Sequence, residues 1–324
     1  MASNAREIGR TILTTEEILR LRGQKNIVSP TKPYAFLVEP ELAEHGDVVD
    51  VATIFLTNKE CPYRCLMCDL WKNTLDVPVR DGDIVKQMRY ALERMPDAKR
   101  LKLYNSGNFF DANAIPRRDR IEIATLCKRF ETVVVENHPS LCNQQCIEFR
   151  DRLDGNLEIA MGLETVHPDV LPLLNKQMTL DGFRDATELL CKNDISVRAF
   201  VLLKPPYLNE REGVEWAAKS VEFAVGCGVS CVAVIPTRPG NGAIELLAER
   251  GEYSPPRLRS LESVLEQELA VPKTYRVFAD LWDAETFSSC NECVTARIER
   301  IDQMNLTQTV PPPVQCHCVE VDSV

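Results

Sequence analysis

With 324 residues, a formal net charge of −10 and no apolar run near the ~20 residues of a membrane span, the sequence argues against a bilayer-inserted chain and against a generally cationic nucleic-acid-binding surface, leaving only a local basic patch open. Thirteen cysteines without a secretory apolar segment point to reduced thiols and metal ligation rather than a disulfide framework, and so to a cytoplasmic protein. The length exceeds the ~150 residues of an ordinary domain but suits an α/β barrel of about 200–250 residues with short extensions.

Residues 1–47 read as an N-terminal extension. Thr14 followed by Glu17 has the pattern of a capping box ahead of Ile18-Leu19-Arg20-Leu21, which predicts a helix. Pro30, Pro33 and Pro40 then predict a connector. The β-branched run at 48–56 predicts a buried parallel strand. Directly after it come Cys61, Cys65 and Cys68, a Cys-x-x-x-Cys-x-x-Cys spacing on one loop. Cysteine thiolates are the usual ligands of a [4Fe–4S] cube, and three of them leave one iron open to an amine and a carboxylate such as those of S-adenosylmethionine (SAM). Chance spacing in a cysteine-rich chain is one alternative. A zinc loop is another, but zinc prefers four ligands and the neighbouring sequence offers only Asp69.

This spacing after a strand resembles the signature of the radical SAM superfamily. Further strand-like runs follow at 100–104, 132–135, 157–163, 197–203 and 231–235, separated by segments of helical periodicity such as Ile84, Met88, Ala91, Leu92 and Met95. Repeated βα units predict a parallel sheet, and six strands are too few for a closed eight-stranded barrel unless two more are hidden. The resemblance implies an α/β fold, a partial (β/α)6 TIM-like barrel over 48–250, with its site at the C-terminal ends of the strands as in barrels generally.

The residues after each strand are therefore the candidate site. Ser106, Gly107 and Asn108 lie in the turn where the superfamily has Gly-Gly-Glu to receive the methionine amino group, and with Asn108 in place of the acid a carbonyl or the amide must serve. Glu136, Asn137 and His138 follow the third strand, where a lone histidine more often has a structural than a substrate-side role. Glu164 ends the fourth strand and is expected to accept the ribose hydroxyls, the alternative being a helix-dipole partner. Arg198 inside an apolar strand needs a partner, either the SAM carboxylate or an internal acid. Lys204, with Arg198, is expected to orient an anionic group. The edge at Val234 is expected to line the adenine pocket, and Met67 occupies the position where the superfamily often has an aromatic residue beside adenine. No side chain is assigned to the chemistry itself.

Residues 251–324 read as a C-terminal cap, with an amphipathic helix through Leu258, Leu261, Val264, Leu265 and Leu269, then a strand-like run at 275–279. Cys290 and Cys293, with Cys316, His317 and Cys318 near the terminus, are consistent with a zinc site, an auxiliary iron–sulfur cluster or free thiols. Cys127, Cys142, Cys146, Cys191, Cys227 and Cys231 sit in helix or strand patterns and are expected in the core.

Within the superfamily, Asn105-Ser106-Gly107-Asn108-Phe109-Phe110-Asp111, Gly162-Leu163-Glu164-Thr165 and Leu202-Leu203-Lys204-Pro205-Pro206-Tyr207-Leu208 resemble the radical SAM subunit of archaeosine synthase and its uncharacterised relatives, in the grouping that includes the Elongator catalytic subunit. The resemblance covers about residues 48–240. It implies reductive cleavage of SAM to a 5′-deoxyadenosyl radical, hydrogen abstraction from a substrate such as a modified tRNA base, and an electron donor of flavodoxin or ferredoxin type. A small metabolite or peptide substrate is the alternative within that chemistry, and a zinc-binding interaction protein is the alternative outside it.

Overall fold

A computed structural model describes residues 9–318. Its centre is an eight-stranded sheet in the order β1-β2-β3-β4-β5-β6-β7-β8, that is, in chain order. Strand β1 (Ala35–Leu42) pairs antiparallel with β2 (Val48–Phe55). From β2 onward, β3 (Arg100–Tyr104), β4 (Thr132–Glu136), β5 (Asn156–Glu164), β6 (Ser196–Leu203), β7 (Cys231–Pro236) and β8 (Arg276–Ala279) are all parallel. The fold is the expected partial TIM-like barrel, and its sheet extends beyond 48–250 at both ends. The proline-rich connector contributes the edge strand β1, which tolerates Pro40 because a proline nitrogen can face away from the single neighbouring strand. The run at 275–279 joins as the last strand rather than only capping the barrel.

Helices connect the strands as the periodicity predicts. Helix α1 (Thr15–Leu21) opens with the capping box, in which Thr14 Oγ1 accepts from Glu17 N at 3.3 Å and Glu17 Oε2 from Thr14 N at 2.8 Å. Next come α2 (Asp83–Leu92), α3 (Arg117–Cys127), α4 (Gln144–Arg150), α5 (Leu180–Cys191), α6 (Glu210–Gly226), α7 (Ala243–Glu249), α8 (Leu258–Leu269) and α9 (Val294–Thr307). No helix among the described residues is long and apolar enough to cross a membrane.

Period-two alternation divides each strand between two surroundings. One face, including Ile54, Leu101, Leu103, Val133, Val135, Ile159, Val197, Val201, Val232 and Val234, packs with the helices in the main core. The other face lines the barrel interior. Near the N-terminal ends of the parallel strands that interior is a floor of paired charges: Arg198 binds Glu158 at 2.5 Å and Glu41 at 2.7 Å, Lys102 binds Glu41 at 2.6 Å, and Arg276 joins Glu44 to Glu158. Burial alone would raise the Glu41 carboxyl, but Arg198 and Lys102 hold it well below the usual carboxylate range. Above the floor, Phe55, Tyr104 and Phe200 form a chain of edge-on aromatic contacts, each ring half-buried.

Of the cysteines expected in the core, Cys127, Cys146 and Cys231 are buried and Cys142 is half-buried. Cys191 is exposed and Cys227 half-buried, because they lie at the C-terminal ends of α5 and α6, where those helices leave the sheet.

Candidate active site at the C-terminal end of the barrel

The loop that carries Cys61, Cys65 and Cys68 leaves the end of β2 and is fastened along its length. Its two ends are tied together by Glu60 N to Leu75 O (2.9 Å) and Leu75 N to Asn58 O (2.8 Å). Between them Leu66 is fully buried against Leu13, Ile18, Ile244 and Leu247, and its amide donates to Leu174 O at 2.8 Å. The side-chain amides of Asn175 and Asn241 donate to Arg64 O and Leu66 O, each at 2.7 Å. The Glu60 carboxylate gathers Arg22, Lys25 and Arg64 within 2.5, 2.7 and 3.1 Å. A loop held at so many points keeps its sulfurs in place before any ligand arrives.

The three thiols are half-buried, and burial pushes Cys61 and Cys65 up to about 11 and Cys68 up to about 12. Without a metal they are neutral, and a metal must displace their protons. Tetrahedral zinc at Zn–S ~2.3 Å would bring its sulfurs to within ~3.8 Å of one another. Among the described residues, the group of three or more ligands drawn to within 4.8 Å lies elsewhere, at Cys290, Cys293, Cys316 and Cys318. Three thiolates on one loop suit a cluster that offers a separate iron to each.

Beside this loop the turn after β3 is built around Glu136, at the end of β4. Its carboxylate accepts from Asn105 N at 2.9 Å and from the amides of Ser106 and Gly107, while burial pushes it up to about 7. The turn places Ser106 in the left-handed region (φ 51°) with its hydroxyl 3.2 Å from Tyr34 OH. Gly107 faces Cys61, since a Cβ there would lie 3.6 Å from the Cys61 Cβ. Asn108 joins three elements: its Nδ2 donates to Cys61 Sγ at 3.3 Å, and its Oδ1 accepts from His138 N at 2.7 Å. The His138 ring is buried, contacts Lys176 O at 3.1 Å, and stacks on Tyr63 of the cysteine loop at 3.9 Å and 17°. Burial and the nearby Lys176 charge hold it down to about 4, so it braces the loop as a neutral imidazole.

Glu164, where the β5–β6 register shifts, has a left-handed backbone (φ 65°), and one carboxylate oxygen lies 2.6 Å from Lys176 Nζ. Both side chains are buried. Burial alone would lower the Lys176 ammonium, but the Glu164 carboxylate bonded to it holds it above the usual lysine range. Gly162 makes room for this pair: a Cβ there would overlap Glu164 Oε1 and Lys176 Nζ. Met67 lies between two apolar clusters, one through Leu66 and Ile244, the other through Leu174, Leu202 and Ile235.

The structure thus brings Cys61, Cys65, Cys68, Ser106, Gly107, Asn108 and Glu164 to one end of the barrel. Three expected residues lie elsewhere. Arg198 is in the charged floor, paired with Glu158 and Glu41, so the internal-acid alternative is the one the fold uses. Val234 faces the helix-side core; its neighbour Ile235 is on the interior side and packs near Met67. Lys204 binds Glu210 at 2.6 Å and Ser254 at 2.8 Å, and its stem lies so close to Gly213 of α6 that an added Cβ would be 2.6 Å away. Residues the sequence did not single out are Lys176 and the aromatic set Phe55, Tyr104 and Phe200. The aromatics could have been found from strand alternation; Lys176, on an irregular loop, has no periodic signal.

No family model matches the chain. It is similar to an uncharacterised protein of Methanocaldococcus jannaschii, 24% identical over 326 residues that cover 92% of this chain and 88% of the relative. It is 28% identical over 240 residues to archaeosine synthase subunit beta of Thermococcus kodakarensis, covering 71% of this chain and 74% of that one. Among solved structures, methylornithine synthase has the same fold, with a TM-score of 0.52 and 12% identity over 96% of this chain and 86% of that chain.

Proposed function

We propose that the chain is a radical SAM enzyme in which Cys61, Cys65 and Cys68 hold a [4Fe–4S] cluster. The observation that carries this reading is the anchored loop at the C-terminal end of the barrel, which presents three half-buried cysteines, one of whose sulfurs receives an N–H from Asn108 at 3.3 Å. When bound, a reduced cluster with one iron open to SAM supplies the 5′-deoxyadenosyl radical that takes hydrogen from the substrate.

The protein's own residues do the holding and shielding. Asn108 donates to Cys61 and positions the loop through His138. The turn at Ser106 and Gly107 offers backbone beside Cys61 where the methionine amino group would lie, and Glu136 fixes that turn from behind. The buried Glu164–Lys176 ion pair would meet the ribose hydroxyls through Glu164 and the SAM carboxylate through Lys176. Phe55, Tyr104 and Phe200 give the reacting region an apolar floor that limits water.

The likeness to archaeosine synthase subunit beta supports a partner subunit; a modified tRNA base as substrate and a flavodoxin- or ferredoxin-type electron donor are part of the proposal. The net charge of −10 favours a small metabolite or peptide instead. The test is anaerobic incubation of reconstituted protein with dithionite and SAM, with and without tRNA carrying modified bases. Formation of 5′-deoxyadenosine that rises with such tRNA, together with an altered nucleoside, supports the first substrate class; formation that ignores tRNA supports the second. No 5′-deoxyadenosine under any condition refutes the radical reading.

A further inference from the structure

Four cysteines that the proposed chemistry does not use meet in one place. Cys290 and Cys293 precede α9, and Cys316 and Cys318 come at the end of the described chain. Cys290 Sγ is 3.7 Å from Cys316 Sγ, Cys293 Sγ is 3.5 Å from Cys318 Sγ, and all four sulfurs lie within 4.8 Å of one another. A tetrahedral zinc ion bound by four thiolates at ~2.3 Å has sulfur–sulfur edges of ~3.8 Å, which is the spacing of these pairs. A four-iron cube gives each thiolate its own iron and holds the sulfurs farther apart, whereas a disulfide needs ~2.05 Å. His317 is exposed and outside the group.

We propose that Cys290, Cys293, Cys316 and Cys318 bind one zinc ion as a structural site. Four protein ligands close the coordination sphere, which is the mark of a structural rather than a catalytic zinc. Four thiolates around Zn²⁺ leave an excess of negative charge, and the surroundings answer it. Arg297, buried, donates from Nε to Cys293 Sγ at 3.3 Å while its Nη1 holds Glu262 at 2.5 Å. The backbone amides of Glu292 and Cys293 donate toward Cys290. Donors of this kind orient metal ligands from outside the coordination sphere.

The site's placement gives it a purpose. After α9 the chain turns back, and Arg300 takes the carbonyls of Pro311 at 2.7 Å and Pro312 at 2.8 Å, so that Cys316 and Cys318 return to the start of the helix. Asn305 in α9 and Gln308 just beyond it hydrogen-bond the backbone of Ala279 and Val277 in β8, and α9 also touches β1. The ion therefore fastens the segment that links the two free edges of the sheet.

This site shares no residue with the loop at 61–68, so the two assignments stand or fall separately. The test is zinc, iron and sulfide analysis of full-length protein in three forms: wild type, a Cys61/Cys65/Cys68→Ala triple variant, and Cys316→Ser/Cys318→Ser. About one zinc per chain is expected in the first two and at least a tenfold loss in the third. Cobalt exchanged into the triple variant is expected to give the visible spectrum of a tetrahedral tetrathiolate site. Iron and sulfide retained by the triple variant would overturn the proposal in favour of an auxiliary cluster. Zinc-free wild type, with four free thiols or two disulfides at these positions, would also overturn it. The zinc content of wild type and triple variant decides the matter even where the tail variant does not fold.

Discussion

Replacing Lys176 by Met strips a partner from the buried pair beside the cysteine loop. Nζ and Oε1 are 2.6 Å apart with side-chain exposures of 10% and 9%. At an effective dielectric constant of ~20 their attraction is about 6 kcal/mol. Several kcal/mol of desolvation per ion oppose it, so the intact pair gains little over an apolar substitute, but a lone buried carboxylate is costly. Lys176→Met is therefore expected to destabilise the protein by ~3–5 kcal/mol, Glu164→Gln by a similar amount, and the double variant to recover to within ~2 kcal/mol of wild type. Gly162→Ala, whose new methyl would collide with both charged atoms, is expected to cost as much as a single charge removal. The assay is urea unfolding of iron-free protein, in which burial keeps the nearby thiols neutral. A Lys176→Met cost below ~1 kcal/mol, or costs of the single variants that simply add in the double, would refute the pairing argument.

Acid should release the His138 brace. Burial depresses its folded value from 6.5 to about 4, so the stability it contributes is complete above pH 6.5 and is lost as pH falls toward 4, by up to ~3 kcal/mol. Glu136, raised by burial to about 7, acts in the opposite sense, its contribution being complete below pH 4.5 and fading as pH rises through 7. Only the difference between wild type and His138→Gln isolates the histidine, and a difference that does not change between pH 6.5 and 4 would contradict its buried, neutral state. Asn108→Leu removes the N–H that faces Cys61 and is expected to weaken iron retention 10–100-fold against a competing chelator. Unchanged retention would reduce that contact to packing. Arg198→Met leaves Glu158 and Glu41 in the floor short of a cation and is expected to cost ~3 kcal/mol in stability, with SAM cleavage per folded molecule unchanged. A raised KM for SAM with stability intact would return Arg198 to the cofactor site.

Strands β2 to β7 were legible as short apolar runs, and that at 100–104 coincides with the observed element, whereas β1, with Pro40 in it, reads as a connector. The cysteine loop was legible because three thiolates at that spacing have few uses. For Arg198 the sequence leaves the SAM carboxylate and an internal acid both open, because alternation tells which face a residue takes but not how high it sits: it is near the start of β6, roughly five residues or ~16 Å below the strand end, where the internal acids are. Val234 was a parity error, since Val232 and Val234 share the helix-side face while Ile235 turns inward. Lys176 was invisible because it lies between Asn175 and Gln177, both in the left-handed region, on a loop whose course is set by tertiary contacts. The C-terminal cysteines were visible as ligands, but only the fold shows their sulfurs drawn together and His317 left out.

The central claim is that the loop at 61–68 holds a cluster rather than a single ion. Iron and acid-labile sulfide in anaerobically reconstituted protein, measured beside a Cys65→Ala variant, test it most directly. About four iron and four sulfide per wild-type chain and a brown chromophore are expected, with their loss in the variant. Zinc at this loop in place of iron and sulfide, or a full iron complement in Cys65→Ala, would contradict it.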